Sequence, residues 1–303
     1  MEFDGLREFE ESRVPVAGGE LAVLRWPATR PDAPTVLALH GITANGLSWG
    51  RVAHELAGRV NLIAPDLRGR GASNEIQGPY GIAAHADDVP AVLDAFGLDQ
   101  VVLTGHSMGA FVAALAAVRH PSRIASLLLL DGGVGFPLPA ELAGDELITA
   151  VIGPAMRRLS MTFSDWPAYQ AFWEAHPAFA GAASPWVDAY LRRDLVGREP
   201  DLHSSCRLDA VRTDGLDLFE PHVLQAVHQL TCPADLLWAE RGLMDEPQGL
   251  YDDHRLTASG LPHTQVKPLR LDDTNHYTIL VGAHGARTIA EHLVRAVDAA
   301  PAV

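Results

Sequence analysis

The first half of the chain alternates two hydrophobic patterns. Thr35-Val-Leu-Ala-Leu39, Val60-Asn-Leu-Ile-Ala-Pro65, Val101-Val-Leu-Thr104 and Ile124 to Leu130 are short runs, apolar at nearly every position. Runs of this length and continuity read as strands buried on both faces. Between them apolar residues recur at helical spacing, near Leu47 to Leu56, Ala83 to Phe96 and Met108 to Val118. Arg13 to Val16 and Glu20 to Trp26 flank the Gly18-Gly19 pair and predict a hairpin. Buried strands alternating with helices predict a parallel sheet covered on both sides.

The rhythm stops after Asp131-Gly132-Gly133. From Phe136 to Leu230 helical patterns continue without a convincing strand, and the stretch carries Phe163, Trp166, Tyr169, Phe172, Trp173, Phe179, Trp186 and Tyr190. Strand and helix then resume with Ala234 to Ala239, Val266 to Leu271 and a closing helix from Ala286 to Val297. The sequence therefore predicts one α/β core, residues 1–135 and 231–303, interrupted by a helical insertion over 136–230.

Composition narrows the function. Of 303 residues 48% are hydrophobic, which suits a globular chain. Twenty-three Lys and Arg stand against 38 Asp and Glu, a net charge of −15. Such a chain repels phosphate backbones and anionic lipid heads, so neither a nucleic-acid nor a membrane-surface partner is expected. Lys267 is the sole lysine. The apolar run Met108 to Val118 is far shorter than the ~20 residues of a membrane span. The acidic start of the chain lacks a basic segment followed by an apolar one. A cytoplasmic protein with Cys206 and Cys232 reduced is the expectation, and a homo-oligomer is compatible with it.

Candidate chemistry centres on Gly105-His106-Ser107-Met108-Gly109, between a buried strand and a helix. A Ser on so tight a turn is strained, and only glycines fit two places before and after it. Its hydroxyl would project over the carboxyl edge of the sheet, at the amino end of the next helix. Serine is a weak nucleophile and needs a base. Among 14 histidines, His276 is singled out by its place in Asp272-Asp-Thr-Asn-His276-Tyr277, after the last strand and before the closing helix. A carboxylate must then orient the imidazole. Asp245 in the loop after Ala234 to Ala239 is the preferred candidate, with Asp131 and Glu240 as alternatives. An oxyanion would need two N–H donors. Met108, following the Ser, supplies one, and Ile42, after the turn at His40-Gly41, the other.

Four pieces, His40-Gly41-Ile42, Asp66-Leu-Arg-Gly-Arg-Gly-Ala-Ser73, Gly105-His-Ser-Met-Gly109 and Asn275-His276, stand in an order that resembles the α/β-hydrolase superfamily over nearly the whole chain. The resemblance implies an eight-stranded, mostly parallel sheet flanked by helices, with a helical cap inserted after the sixth strand. It implies a Ser–acid–His order, which Ser107, Asp245 and His276 satisfy. The chain departs from the family where Gly242 stands near the usual acid position, three residues before Asp245, while Asp131 sits where some members carry their acid. Haloalkane dehalogenases and epoxide hydrolases use Asp at the position of Ser107. Carbon–carbon bond hydrolases usually follow the catalytic His with Trp, where this chain has Tyr277. The elbow looks most like that of small-ester hydrolases, lactonases and cofactor-free haloperoxidase-like esterases.

The expected activity is hydrolysis of carboxylic esters of small to medium apolar or aromatic substrates through an acyl-serine. A lactone hydrolase, a carbon–carbon bond hydrolase and a receptor-like member with little turnover are the alternatives. His40, Gly41, Thr43, Trp173 and Tyr277 are expected near the substrate. No metal or cofactor is expected. His54-Glu55 lacks the second His of a zinc motif, and Asp131-Gly-Gly-Val-Gly135 lacks the third Gly of a dinucleotide fingerprint.

Overall fold

The computed structural model describes residues 7–135, 153 and 156–300. The part of the expected helical insertion on residues 136–152, 154 and 155 lies outside the described residues, as do residues 1–6 and 301–303. The main sheet has eight strands: β1 (Glu10–Val16), β2 (Gly19–Trp26), β3 (Thr35–Leu39), β4 (Asn61–Pro65), β5 (Val101–His106), β6 (Ile124–Leu130) and, beyond the insertion with its β7 (Leu195–Arg198) and β8 (Asp201–Ser204), β9 (Ala234–Arg241) and β10 (Val266–Asn275). The spatial order is β1-β2-β4-β3-β5-β6-β9-β10. The β1–β2 and β2–β4 pairs are antiparallel and the rest parallel. This is the α/β-hydrolase fold that the motifs implied.

Alternation along each strand divides the interior. Leu37, Leu39, Leu103, Leu127 and Leu129 face one core, with helices α2 (Ile82–Ala95) and α3 (Met108–Arg119). Val36, Ala38, Val102, Leu128 and Leu130 face the other, against α1 (Gly50–Leu56) and the closing helix Ala283–Ala299. Successive strand side chains point to opposite faces, so an apolar run of this kind needs both cores. Ala286, Ile289, Ala290 and Leu293 form the buried stripe of the closing helix at helical spacing. In α3 the buried positions are largely Ala, which lets that helix lie close against the strands.

The insertion differs from expectation in one respect: β7 and β8 pair as an antiparallel hairpin, and Phe163 bridges to Leu202 beside it. Four-residue strands with half of their positions exposed leave no apolar run to read. The rest of the described insertion is helical, including α4 (Trp166–Glu174), α5 (Pro185–Asp194) and α6 (Leu208–Asp217). Asp165 and Ser184 cap the first two by accepting Ala168 N–H (2.8 Å) and Val187 N–H (3.3 Å). The loop after β4 ties parts together. Asp66 accepts Gly46 N–H and Ala72 N–H, both at 2.7 Å, and pairs with Arg193 of α5. Arg68 pairs with Asp88 at 2.5 Å. No helix among the described residues is long and apolar enough to cross a membrane.

Two buried histidines make stability pH-dependent. His40 donates Nδ1–H to Gly41 O (2.7 Å) and accepts Leu67 N–H at Nε2 (2.8 Å), and burial pulls its pKa down to about 4. Burial also pushes His106 well below the ordinary histidine range. Both stay neutral in the folded chain, while the unfolded chain protonates them below about pH 6.5. Their stability contribution is therefore complete above pH 6.5 and is lost as the pH falls toward 4. Thermal melts from pH 7.5 to 4.5 should show Tm falling from about pH 6.5 downward; a flat Tm from pH 7 to 5 would contradict this.

Candidate active site

Ser107 joins β5 to α3 with φ 55° and ψ −121°, a conformation that costs roughly 1–3 kcal/mol outside glycine. The surrounding backbone enforces it. A β-carbon on Gly105 would stand 2.0 Å from Gly109 O, one on Gly109 2.3 Å from Leu39 O, and one on Gly132 2.3 Å from Ser107 O. Ser107 N–H donates to Leu130 O at 2.9 Å, so the turn still belongs to the sheet. Met108 opens α3, and its N–H has no carbonyl four residues back within the helix.

His276 follows directly on β10, which runs on past the expected loop through a bulge between Leu271 and Asn275. Asn275 fixes the turn: its side-chain oxygen accepts Tyr277 N–H (3.0 Å) and Thr278 N–H (2.8 Å). His276 Nδ1 donates to Asp131 Oδ2 at 2.7 Å, both side chains being almost fully buried. Asp131 follows β6 at φ 42°, and its second oxygen accepts Ala239 N–H at 3.1 Å. That backbone bond aims the carboxylate at the imidazole.

The preference for Asp245 is thereby corrected. Asp245 is about a third exposed and bonded to Arg241 Nε (2.7 Å) and Asn275 Nδ2 (2.9 Å), which together hold its carboxyl below the usual range. It buttresses the residue before His276 instead of the imidazole. Glu240 accepts Asp273 N–H at 2.9 Å.

Ser107, His276, Ile42 and Leu243 form a wall shared by two narrow cavities. One, of about 40 Å³, is bounded by Gly41, Thr43, Tyr190, Tyr277, Leu280 and Val281 among others. The other, of about 60 Å³, is bounded by Met108, Phe111, Leu218, Phe219, Leu224 and Tyr251 among others. Gly41, Thr43 and Tyr277 thus line the same cavity as Ser107 and His276. His40 and Trp173 line neither cavity and are corrected. Both ring nitrogens of His40 are spent on backbone, and Trp173 is packed among Tyr169, Phe172, Phe179 and Tyr277. Among the described residues no Lys or Arg lines either cavity.

Three further residues support the site. Arg70 belongs to the loop Asp66 to Ser73, where an Arg that pins loops together is the expected type, while His106 and Arg158 escaped the sequence reading. His106 Nε2 donates to His276 O at 2.8 Å, its ring 4.7 Å from that of His276. Arg70 Nε donates to Ile42 O (2.9 Å) and Arg158 Nη2 to Thr43 O (3.1 Å). His106 could have been suspected from its place inside the elbow. Arg158 stands in no motif, and for both arginines the target is a backbone atom far away in sequence, which leaves no signal of its own. Among the described residues no three His, Cys, Asp or Glu side chains gather to hold a metal.

A family model described as the alpha/beta hydrolase fold matches residues 34–163. N-formylmaleamate deformylase of Pseudomonas putida is 31% identical over 230 residues, 73% of this chain and 76% of the relative. The lipase LipV of Mycobacterium tuberculosis is 35% identical over 167 residues, 55% of this chain and 59% of the relative. The alignments span 30% of the length of the first curated relatives matched, which are uncharacterized mycobacterial proteins. The crystal structure of E-2-(acetamidomethylene)succinate hydrolase superposes with a TM-score of 0.77 at 19% identity, covering 96% of this chain and 100% of that one.

The His276–Asp131 hydrogen bond is checked by proton NMR in water. A low-field imidazole N–H resonance should vanish in Asp131→Ala and persist in Asp245→Ala; the opposite pattern would return Asp245 to the imidazole.

Proposed function

We propose that this chain, which belongs to the α/β-hydrolase family, hydrolyses carboxylic esters of small, uncharged acyl groups through an acyl-Ser107 intermediate. The observation that carries the reading is the buried 2.7 Å bond from His276 Nδ1–H to Asp131, on a histidine that shares its cavity wall with the strained Ser107. With Nδ1 committed to Asp131, Nε2 is the nitrogen left to accept a proton.

In this mechanism His276 Nε2 takes the proton of Ser107 Oγ as the oxygen attacks the ester carbonyl. The carbonyl oxygen becomes an oxyanion held by the N–H groups of Ile42 and Met108, donors already in place before the charge develops. The tetrahedral intermediate collapses, the imidazolium gives its proton to the departing alkoxide, and an alcohol leaves. A water then passes its proton to His276 and attacks the acyl carbon. The second collapse returns that proton to Ser107 and releases the carboxylic acid. The cavities on either side of Ser107 suit an acyl group on one side and an alcohol on the other. Their described walls are mostly apolar, with no Arg or Lys among the described lining residues, and so favour uncharged apolar groups over a substrate carboxylate or phosphate. A lactone would follow the same steps with its alcohol tethered.

The 31% identity with a deformylase supports a second reading, an acyl amide in place of the ester, since the same steps serve a C–N bond. Paired assays separate the two. Hydrolysis of p-nitrophenyl acetate, butyrate and octanoate is measured beside that of p-nitroformanilide and p-nitroacetanilide. The ester reading expects ester turnover that falls from butyrate to octanoate, because the cavities are narrow. Ser107→Ala should lower kcat by about 10⁴–10⁶-fold and Asp131→Asn by about 10³–10⁴-fold, with Asp245→Asn within about tenfold of wild type. Turnover confined to the anilides would favour the amide. No Ser107-dependent turnover of either would overturn the acyl-enzyme reading in favour of a carbon–carbon hydrolase or a receptor-like role.

A further inference from the structure

We infer that the cap positions the oxyanion donor: the buried pairs Arg158–Asp194 and Arg70–Asp214 hold the loop that carries Ile42, so that docking of the cap sets the aim of the Ile42 N–H. The inference rests on the acyl-enzyme reading above.

Three consecutive peptide planes of this loop are fixed through their carbonyls. Gly41 O accepts from His40 Nδ1 (2.7 Å) and Ala44 N–H (3.1 Å). Ile42 O accepts from Arg70 Nε (2.9 Å), and Thr43 O from Arg158 Nη2 (3.1 Å). A peptide unit is rigid, so pinning successive carbonyls removes the backbone rotations on either side of Ile42 and Thr43. The Ile42 N–H, in the first of these planes, then has a single direction.

Both arginines are anchored by carboxylates of the insertion. Arg70 meets Asp214 of α6 at 2.5 Å, and Asp214 also accepts Gly81 N–H (2.6 Å) and His85 Nε2 (2.9 Å). Arg158 pairs with Asp194 at the end of α5, lies 5.1 Å from the centre of the Trp173 ring, and is 2% exposed. Asp194 further accepts the hydroxyls of Tyr169, Ser204 (2.8 Å) and Ser205 (3.1 Å). Neighbouring Asn45 donates to Tyr190 O of α5 at 3.0 Å. A pair so deeply buried tolerates no half measures, because either charge left alone is strongly unfavourable. Each arginine is thus locked on its cap carboxylate while one further nitrogen, Nε of Arg70 and Nη2 of Arg158, reaches the loop. Arg158 and Arg70 are positioning residues; they act through the loop and not on substrate.

The test uses Arg158→Lys and the double variant Arg158→Met/Asp194→Asn, with Arg68→Met/Asp88→Asn as a control. The control removes an equally buried pair that touches none of residues 41–44. Lysine keeps a charge against Asp194 but has one ammonium, which cannot hold that carboxylate and Thr43 O together. The readouts are kcat and KM on p-nitrophenyl butyrate and the Ki of 1,1,1-trifluoro-2-butanone, whose adduct with serine carries an oxyanion. A misaimed donor should lower kcat and weaken the trifluoroketone by about the same factor, on the order of 10–100-fold, with KM within about threefold. The control should lose Tm and keep kcat. Unchanged kcat and Ki in a folded Arg158→Lys would overturn the inference, as would equal kcat losses in the control. If the double variant does not fold, Arg158→Lys alone decides. Absence of Ser107-dependent turnover in wild type would instead sink the acyl-enzyme reading, and this inference with it.

Discussion

Three stretches of backbone crowd together where β5 turns into α3, closer than any side chain would allow. The end of β3, the first turn of α3 and the segment after β6 all come within van der Waals reach of residues 105–109. Glycine at 105, 109 and 132 is what lets them meet, and Ser107 carries the remaining strain in its own φ. The rest of the site follows from that crowding. The close approach of α3 brings the Met108 N–H beside Ser107. The proximity of the β3 end brings the loop of Ile42 to the same spot, and the segment after β6 starts with Asp131. The proposed nucleophile, donors and acid are neighbours because their backbones are packed to the limit.

Burial of charge organises the next layer outward. Arg68, Arg70 and Arg158 are each at most 2% exposed and each faces a buried carboxylate. Such pairs are poor sources of net stability, since desolvation offsets most of the attraction. Their effect is geometric. An arginine that must satisfy a carboxylate with one edge of its planar fork presents the other edge in a fixed direction. In Arg70 and Arg158 that edge points at carbonyls of the loop that closes over Ser107; in Arg68 it points at Ala17 O and Pro79 O.

Much of this was legible in the sequence where the signal was local. The limits of β3 and β6 coincide with their apolar runs, since a strand buried on both faces needs a continuous run. Ser107 and His276 could be read because each stands at a strand end with a recognisable neighbourhood. The acid could not be settled that way. Asp131 and Asp245 both follow sheet strands, and what separates them is the Ala239 N–H that turns one toward His276 and the Arg241 that draws the other away. His40 and Trp173 looked like substrate contacts by type and place, yet tertiary packing turned both inward. The β7–β8 hairpin is too short and too exposed to leave a pattern.

The aromatic cluster of the insertion has a consequence for how the chain acquires its shape. Phe163, Tyr169, Trp173 and Tyr190 do not close a core of their own; they belong to one cluster with Trp49, Leu130, Ile289 and Leu293. Its parts are drawn from the first strands, the insertion and the closing helix. The insertion cannot finish burying its aromatics until residues far downstream have been synthesised. Contacts of such long sequence separation carry a loop-closure cost before they return any stabilisation, which slows folding. An excised insertion would expose its aromatic face, so it is better regarded as the late-closing half of a shared interior than as an autonomous module.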